Sequence, residues 1–408
     1  MVIFLAMALP CLCKLITTPR ELPDQEPGQE DLTISLITCY PGPEVYELCG
    51  HAAIRVRGTG IDSIWNFGIF DFNQPNFIYR FVKGETDYKC AAYPFAWFLP
   101  EYIQRGSKVV EQDLNLTPDE SKKLLGLLRQ SALPENATYR YNYIKDNCAT
   151  RILDRVDEAT DAEIIYPDSL HFGTFRKEMK AYHDGYPWYQ FGIDLALGSG
   201  LDHQLTSREE MFVPVEMMRK AAAAHLADGR PLTKATRVLN DTPGGSGLPP
   251  TPWYAGPLFW SWIVFIALLC FAAAGIKRKR IINAVYIAWF SALGLAGLLV
   301  AFLVFISVHE ATDPNVIILW INPLQFLMAL GCAFRKLRFL SIAMAYYNIV
   351  VVGVLLIVSP FIIQSLNPAF YPLMGATVAM GGAYAIIGNK SSYKIKSKSK
   401  TKTKKRKK

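Results

Sequence analysis

Four things are scarce or missing in this 408-residue chain, and each excludes something. No internal repeat runs through it, so there is no repeated module of the kind that would hold a protein on cell wall. No acidic residue occurs from Lys390 to Lys408, a stretch holding eleven basic ones; removing those from the formal +8 leaves −3 for the rest. The chain is therefore not basic throughout. Because the basic stretch directly follows an apolar span, it reads as a cytoplasmic anchor attracted to anionic lipid, with no nucleic acid as partner. No Lys or Arg occurs between His309 and Asn315, or between Gln364 and Asn367. No basic residue opens the apolar run Met1–Cys13, which is too short to span a bilayer, since a spanning helix needs about 20 residues. Residues 1–16 read instead as a secretory signal peptide, and Ala8-Leu9-Pro10 ahead of Cys11 and Cys13 fits a lipoprotein cleavage site poorly.

Apolar sequence is abundant, and it is concentrated. From Gly256 to Gly388 the chain is dominated by Leu, Ile, Val, Ala and Phe. Five stretches are long enough to cross a bilayer: 257–276, 281–306, 315–334, 339–363 and 369–388. Lys277-Arg278-Lys279-Arg280 separates the first two, Arg335, Lys336 and Arg338 separate the third and fourth, and the Lys-rich tail follows the fifth. Alternate loops are thus basic, the positive-inside pattern. It predicts an all-α five-helix transmembrane domain over 257–388, a cytoplasmic tail over 389–408, and everything before Gly256 outside the membrane. Residues 244–256 read as a linker by their Gly and Pro content. Trp253, Tyr254, Trp260 and Trp262 stand where an interfacial aromatic belt belongs.

The extramembrane part, 30–243, carries the candidate chemistry. Asp31–Cys39 alternates apolar and polar positions as a half-buried strand does, and Ala52–Arg57 and Ser63–Phe72 are the next strands. Thr117-Pro118-Asp119-Glu120 is a capping box with Pro at the first helical position, so a helix is expected to about Ala132. Another helix starts at Asn147 or Cys148 and runs through Val156. His51 sits at the entrance to a strand, behind a Pro41-Gly42-Pro43 turn. Cys148 sits in the first turn of its helix with Asn147 as cap, where amide donors and the positive dipole end favour thiolate over thiol. A Cys at a helix start with a His on a separate strand is the arrangement of thiol enzymes. The opposing possibility is a disulfide. Cys39, Cys49, Cys90 and Cys148 are an even set in a compartment where disulfides persist, and a Cys49–Cys148 bridge is conceivable. The N-cap placement tilts the balance towards a nucleophile. Tyr139, Tyr141 and Tyr143 read as packing.

Gly50-His51-Ala52-Ala53-Ile54-Arg55-Val56, Trp65-Asn66-Phe67-Gly68-Ile69-Phe70-Asp71-Phe72 and Asp146-Asn147-Cys148-Ala149-Thr150-Arg151 together resemble the Lnb family of bacterial lipoprotein N-acyltransferases. So do Ala196-Leu197-Gly198-Ser199-Gly200-Leu201-Asp202, Met211-Phe212-Val213-Pro214, and, in the membrane part, His309, Asn315 and Trp320-Ile321-Asn322-Pro323. The likeness covers the chain from about 30 to 388. His before Cys is also similar to the circularly permuted branch of the papain-like NlpC/P60 superfamily, to which lecithin:retinol acyltransferase belongs. The resemblance implies an α+β permuted papain-like domain outside the cytoplasmic (inner) membrane, followed by the membrane helices. It implies Cys148 as nucleophile, His51 as base and a polar residue that orients His51, with Asn66 chosen and Ser63 as alternative. Arg55, Asn147, His309 and Asn322 are the candidate substrate-binding residues. No cofactor or metal is implied; the partners are membrane lipids and lipoproteins.

The implied reaction moves a fatty acyl chain through a Cys148 thioester to the N-terminal amine of a diacylglyceryl-modified lipoprotein. Two other classes compete. One is a membrane-anchored cell-wall amidase or peptidase of NlpC/P60 type; the other is a non-enzymatic scaffold braced by disulfides, which requires Cys148 to be oxidised.

Overall fold

The computed structural model describes residues 32–42, 44, 47–70, 75–168, 173–242 and 250–405, with side chains described as far as Gly388. The expected signal segment 1–16, residues 244–249 of the expected linker, Pro43, Asp71, Phe72 and the last three residues of the tail lie outside the described residues. Contacts divide the chain into two units. One takes in the described residues within Met1–Asn73, Asp87–Asp168 and Ser207–Gly247. The other takes in those within Gln74–Thr86, Ser169–Thr206 and Leu248–Lys408. Of the stretch 30–243, the described residues 75–86 and 173–206 fall in the unit that holds the membrane helices.

In the first unit, β1 (Thr33–Cys39), β2 (His51–Gly58), β3 (Ile61–Ile69), β4 (Asp87–Pro94), β5 (Val109–Leu114), β6 (Thr138–Arg140) and β9 (Thr233–Asn240) form one antiparallel sheet. Their spatial order is β6-β4-β3-β2-β1-β5-β9, and β7 (Ile164–Ile165) pairs separately with β8 (His225–Leu226). Side chains alternate between faces with period two, and the two cores follow from it. Ile34, Leu36, Ala52, Ile54, Val56, Trp65 and Phe67 pack against the helices Pro118–Ala132, Cys148–Ala159 and Pro214–Ala223. Ile37, Cys39, Ala53 and Ile64 face the other way, onto Phe95, Phe98 and Tyr102 of the helix Phe95–Gln104. Next to that second core lies an ion-pair ladder: Arg55 and Arg237 reach Glu111, and Arg57 and Arg237 reach Asp113. The Pro118–Ala132 helix starts with the expected reciprocal cap, Thr117 accepting from Glu120 N–H and the Glu120 carboxylate accepting from Thr117 N–H.

Among the described residues of the second unit, four helices are long and apolar enough to cross a membrane: Pro257–Arg278, Asn283–Phe305, Arg335–Phe361 and Phe370–Gly388. The stretch 315–334 does not form a continuous helix. It gives a 3-10 turn, Val316–Leu319, and a nine-residue helix, Gln325–Ala333, separated at Asn322-Pro323. Pro323 cannot donate to the ladder, so carbonyls are left over in an apolar setting that has no water to satisfy them. Side chains take that role. Asn322 Nδ2 donates to Ile318 O and Leu319 O at 3.1 and 3.2 Å, and its Oδ1 accepts from Leu324 N–H. Gln325 donates to Trp320 O and exchanges two hydrogen bonds with the buried Asn348.

The stretch 173–206 packs here for an electrostatic reason that composition does not display. Arg176 is 5 % exposed; its guanidinium meets Asp202 at 2.9 Å, Asp194 at 2.9 Å and Gly198 O at 2.7 Å. Asn367, just before the last membrane helix, donates to the second oxygen of Asp194 at 2.8 Å. A buried charge is tolerated only when paired and hydrogen-bonded in this way. Gly198 N–H and Ser199 N–H then donate to Ala311 O and Pro314 O, so the Ala196–Asp202 motif serves as a strap within the membrane unit.

Candidate active site

His51 is the first residue of β2, and strand parity decides what it meets. Ala53 lies opposite Asn66 in the antiparallel pairing of β2 with β3, so His51, Ala53 and Asn66 share a face. Ser63, three residues before Asn66, faces the other core. The imidazole accordingly bonds Asn66, its Nε2 lying 2.7 Å from Asn66 Oδ1. The amide orientation of Asn66 is set by its other end, since Nδ2 donates to Tyr93 Oη at 2.9 Å. With Oδ1 as acceptor, Nε2 carries the proton and Nδ1 is left as the nitrogen able to take one. The ring lies parallel to Tyr102, with centroids 6.3 Å apart.

Cys148 is the first residue of the helix Cys148–Ala159 and is buried, with 7 % exposure. Asn147 fixes that start. Its Oδ1 accepts from Ala149 N–H at 2.9 Å and Thr150 N–H at 3.0 Å, while Nδ2 donates to Tyr143 O and Phe212 O. Every polar group of the Asn147 amide is therefore engaged with the protein itself. Cys148 lines a pocket with Asn147, Cys49, Gly50, Tyr141, Tyr143, Phe212 and Pro214. Its thiol is free, so the conceivable Cys49–Cys148 bridge is not formed; Cys49 Sγ lies 2.9 Å from Tyr143 Oη.

Cys148 and His51 come together beside a glycine. The β3–β4 register shifts between Asn66 and Ile69, and Gly68 in this bulge has φ +92°. A Cβ at position 68 would stand 3.8 Å from Cys148 Cβ, 3.8 Å from Tyr141 Cε2 and 4.0 Å from His51 Cε1. The space above Gly68 is thus bounded by the thiol residue, the imidazole and an aromatic ring.

Electrostatics in this place reverse one expectation. Burial pushes the Cys148 thiol up to about 11, and the N–H groups of Ala52, Ala149 and Cys148 that donate to it recover only part of that. Burial likewise pushes the His51 imidazole below its usual value, partly offset by the Asn66 hydrogen bond. Near neutral pH the resting pair is thiol and neutral imidazole, not thiolate and imidazolium. A helix start favours thiolate, but here desolvation outweighs it.

The other sequence candidates make different contacts or belong to the other unit. Arg55 is held by Asp62 through two hydrogen bonds, at 2.7 and 2.8 Å, and its guanidinium stacks 3.5 Å over the Phe95 ring centroid. His309 and Asn322 belong to the second unit. Conversely, Gly68 and Tyr93 were not singled out from sequence, and Tyr141, read there as packing, borders the space above Gly68. Continuing the β2–β3 register past Ala53 and Asn66 puts position 68 opposite His51, and that signal was available once the strands were paired.

A sheet and a helix start that bring Cys, His and Asn to one place, ahead of helices long and apolar enough to span a bilayer, have the outline of a multi-pass membrane protein. Residues 25–177 match the Lnb N-terminal periplasmic domain and residues 250–392 match the Lnb transmembrane domain. The chain belongs to the Lnb family. No curated protein and no solved structure matches it.

Proposed function

We propose that this protein is a thiol-dependent N-acyltransferase that acylates the amino terminus of diacylglyceryl-modified lipoproteins. The observation that carries this is the juxtaposition at Gly68 of Cys148 with a His51 whose tautomer Asn66 and Tyr93 dictate. In the first step His51 Nδ1 takes the thiol proton as Cys148 Sγ attacks an ester carbonyl of a membrane lipid. The tetrahedral intermediate collapses to an acyl-thioester, and the proton passes from His51 to the departing lipid alcohol. In the second step the neutral α-amine of the lipoprotein's N-terminal cysteine attacks the thioester. His51 takes the amine's proton and returns it to the Cys148 sulfur as the amide forms. The Cys148 N–H at the helix start is the donor for the developing oxyanion, worth about 3 kcal/mol in comparable sites.

Both substrates are lipids of the outer leaflet of the cytoplasmic membrane, which gives the membrane helices a reason. A permuted papain-like fold is supported by the order of the site, with the His strand before the Cys helix. Five crossings with a cytoplasmic tail are supported by the alternation of basic loops, the broken stretch 315–334 counting as one crossing. Purified full-length protein mixed with phospholipid is expected to carry a hydroxylamine-labile acyl group on the Cys148 peptide. Adding a diacylated lipopeptide with a free amine should discharge it into a hydroxylamine-stable amide. An acyl group that never forms, or that forms on another residue, would sink the proposal.

The pH dependence separates a base from a merely packed histidine. Because the competent form is neutral imidazole, acyl-enzyme formation should rise with pH through the lowered His51 titration and then level off. Asn66→Ala removes the bond that holds this value up, so the acid limb should move to lower pH. The rate should fall by roughly one to two orders of magnitude, part of what a positioned base contributes. Asn66→Asp places a carboxylate on Nε2–H and should move the limb to higher pH. Limbs that stay fixed in both variants would mean that His51 is not the base.

A further inference from the structure

The helix Phe77–Lys83 falls between β3 and β4 in sequence, yet it packs within the membrane unit and none of its residues is buried. Seven residues are too few to hold a helix in isolation. What holds this one is its last turn. The carbonyls of this turn bond to the segment that follows the membrane helix Asn283–Phe305, Phe81 O in addition to the Gly84 N–H that already donates to it at 3.1 Å. His309 Nε2 bonds Phe81 O at 2.8 Å, Ser307 Oγ donates to Val82 O at 3.0 Å, and Val308 N–H donates to Lys83 O at 2.8 Å. The chain then turns at Gly84, φ +81°, where a Cβ would stand 3.0 Å from His309 N and 3.1 Å from its ring. A larger residue would push His309 off the turn. This arrangement accounts for His309, which the catalytic site does not use.

The clamped helix presents Ile78, Tyr79 and Phe81, each about half exposed, at 50, 53 and 46 %. They adjoin surface of the same character. The Tyr79 ring meets Phe302, and Phe305, Ile306 and Val308 are 75, 53 and 58 % exposed. Phe302 lies three residues from the end of its helix, about 5 Å below that end at 1.5 Å per residue. This is the depth, roughly 5–10 Å, at which in-plane helices bury their apolar side at the boundary of headgroups and acyl chains. Arg80 and Lys83, on Glu85 O and the Glu85 carboxylate, supply the polar side. Since 77–83 falls within the periplasmic domain's sequence, the end of the membrane helix to which it is clamped is the periplasmic one.

We infer that Phe77–Lys83 is an in-plane lipid anchor whose occupied surface is the upper acyl region of outer-leaflet phospholipid. Ile78, Tyr79 and Phe81 make the contact, and His309 is the clamp that holds them there. The inference stands apart from the acyl-transfer chemistry and does not need Cys148.

Full-length protein in phospholipid nanodiscs tests it, using a phosphatidylcholine with a photoactivatable diazirine high on one acyl chain. Mass spectrometry of the peptides is expected to find adducts on 78–81 as well as on Pro257–Arg278. A water-soluble diazirine should leave 78–81 unlabelled. Lipid adducts on the membrane helix but not on 78–81, or labelling of 78–81 by the aqueous reagent, would overturn the anchor. His309→Ala should lower lipid labelling of 78–81 by up to about fivefold, the equilibrium weight of one hydrogen bond, with Pro257–Arg278 unchanged. Equal labelling in that variant would overturn the clamp.

Discussion

Cys148→Ser is expected to abolish N-acylation of lipoproteins in cells depleted of the wild-type protein, with transfer in vitro falling by at least about four orders of magnitude. The substitution changes one buried atom and leaves the helix start intact, because the cap belongs to Asn147 and not to residue 148. The Ala52 and Ala149 N–H donors also remain. What disappears is an acid weak enough to stay protonated at rest yet strong enough to yield its proton to a neutral imidazole. With the thiol at about 11 and His51 below its usual value, that proton already moves uphill. An alcohol is a far weaker acid still, and the serine ester it would form is a poorer acyl donor to an amine than a thioester. Mass spectrometry of a lipoprotein's N-terminal peptide reads the result directly, comparing rescue by wild type and by the variant. Restored acylation with serine would remove Cys148 from the chemistry. Acylation unchanged by depletion would remove lipoproteins from the function, and wall hydrolysis or scaffolding would take their place.

Local signals carried much of the fold. The Thr117 box, the helix start at Asn147-Cys148 and the alternation in β1 to β3 are each decided within a few residues, and each is found where those residues stand. Asn66 over Ser63 was a matter of strand parity, legible once β2 and β3 were paired. Three features were not legible, and in each a distant partner decided the outcome. The protonation of Cys148 depends on how much protein covers it, while the helix start speaks only for its amides. Residues 169–206 have the composition of a soluble segment, but Arg176 needs Asp194 and Asp202, and Asp194 in turn holds Asn367 far along the chain. The stretch 315–334 has the hydropathy of a span, yet Asn322, Gln325 and Asn348 are placed to repair a break. Polar residues in an apolar stretch marked that break; nothing local marked what would repair it.

Gly68→Ala is expected to cut acyl transfer by about 10²- to 10³-fold while Cys148 still reacts with a small alkylating agent at close to its normal rate. The methyl group would meet Cys148, Tyr141 and His51 at 3.8 to 4.0 Å, ordinary contact distances, so the protein itself has room for it. Its backbone cost is that of a non-glycine residue at positive φ, about 1–3 kcal/mol, which lowers stability without removing the fold. What it has no room for is a substrate. An acyl carbonyl attacked by Sγ while His51 takes the proton must approach from between them, and that is the space a side chain at 68 would fill. A displacement of about 1 Å at a reacting centre is enough to cost 10²-fold. Iodoacetamide, small and needing no carbonyl seat, should be nearly indifferent, so the ratio of the two rates separates a blocked seat from a damaged thiol. If acyl transfer in the variant stays within severalfold of wild type, the carbonyl does not sit beside Gly68, and the pocket bounded by Cys49, Tyr143 and Phe212 must receive it instead. If both rates collapse together, the bulge at Gly68 is needed to place Cys148 itself, which would move the glycine's contribution from substrate access to the position of the nucleophile.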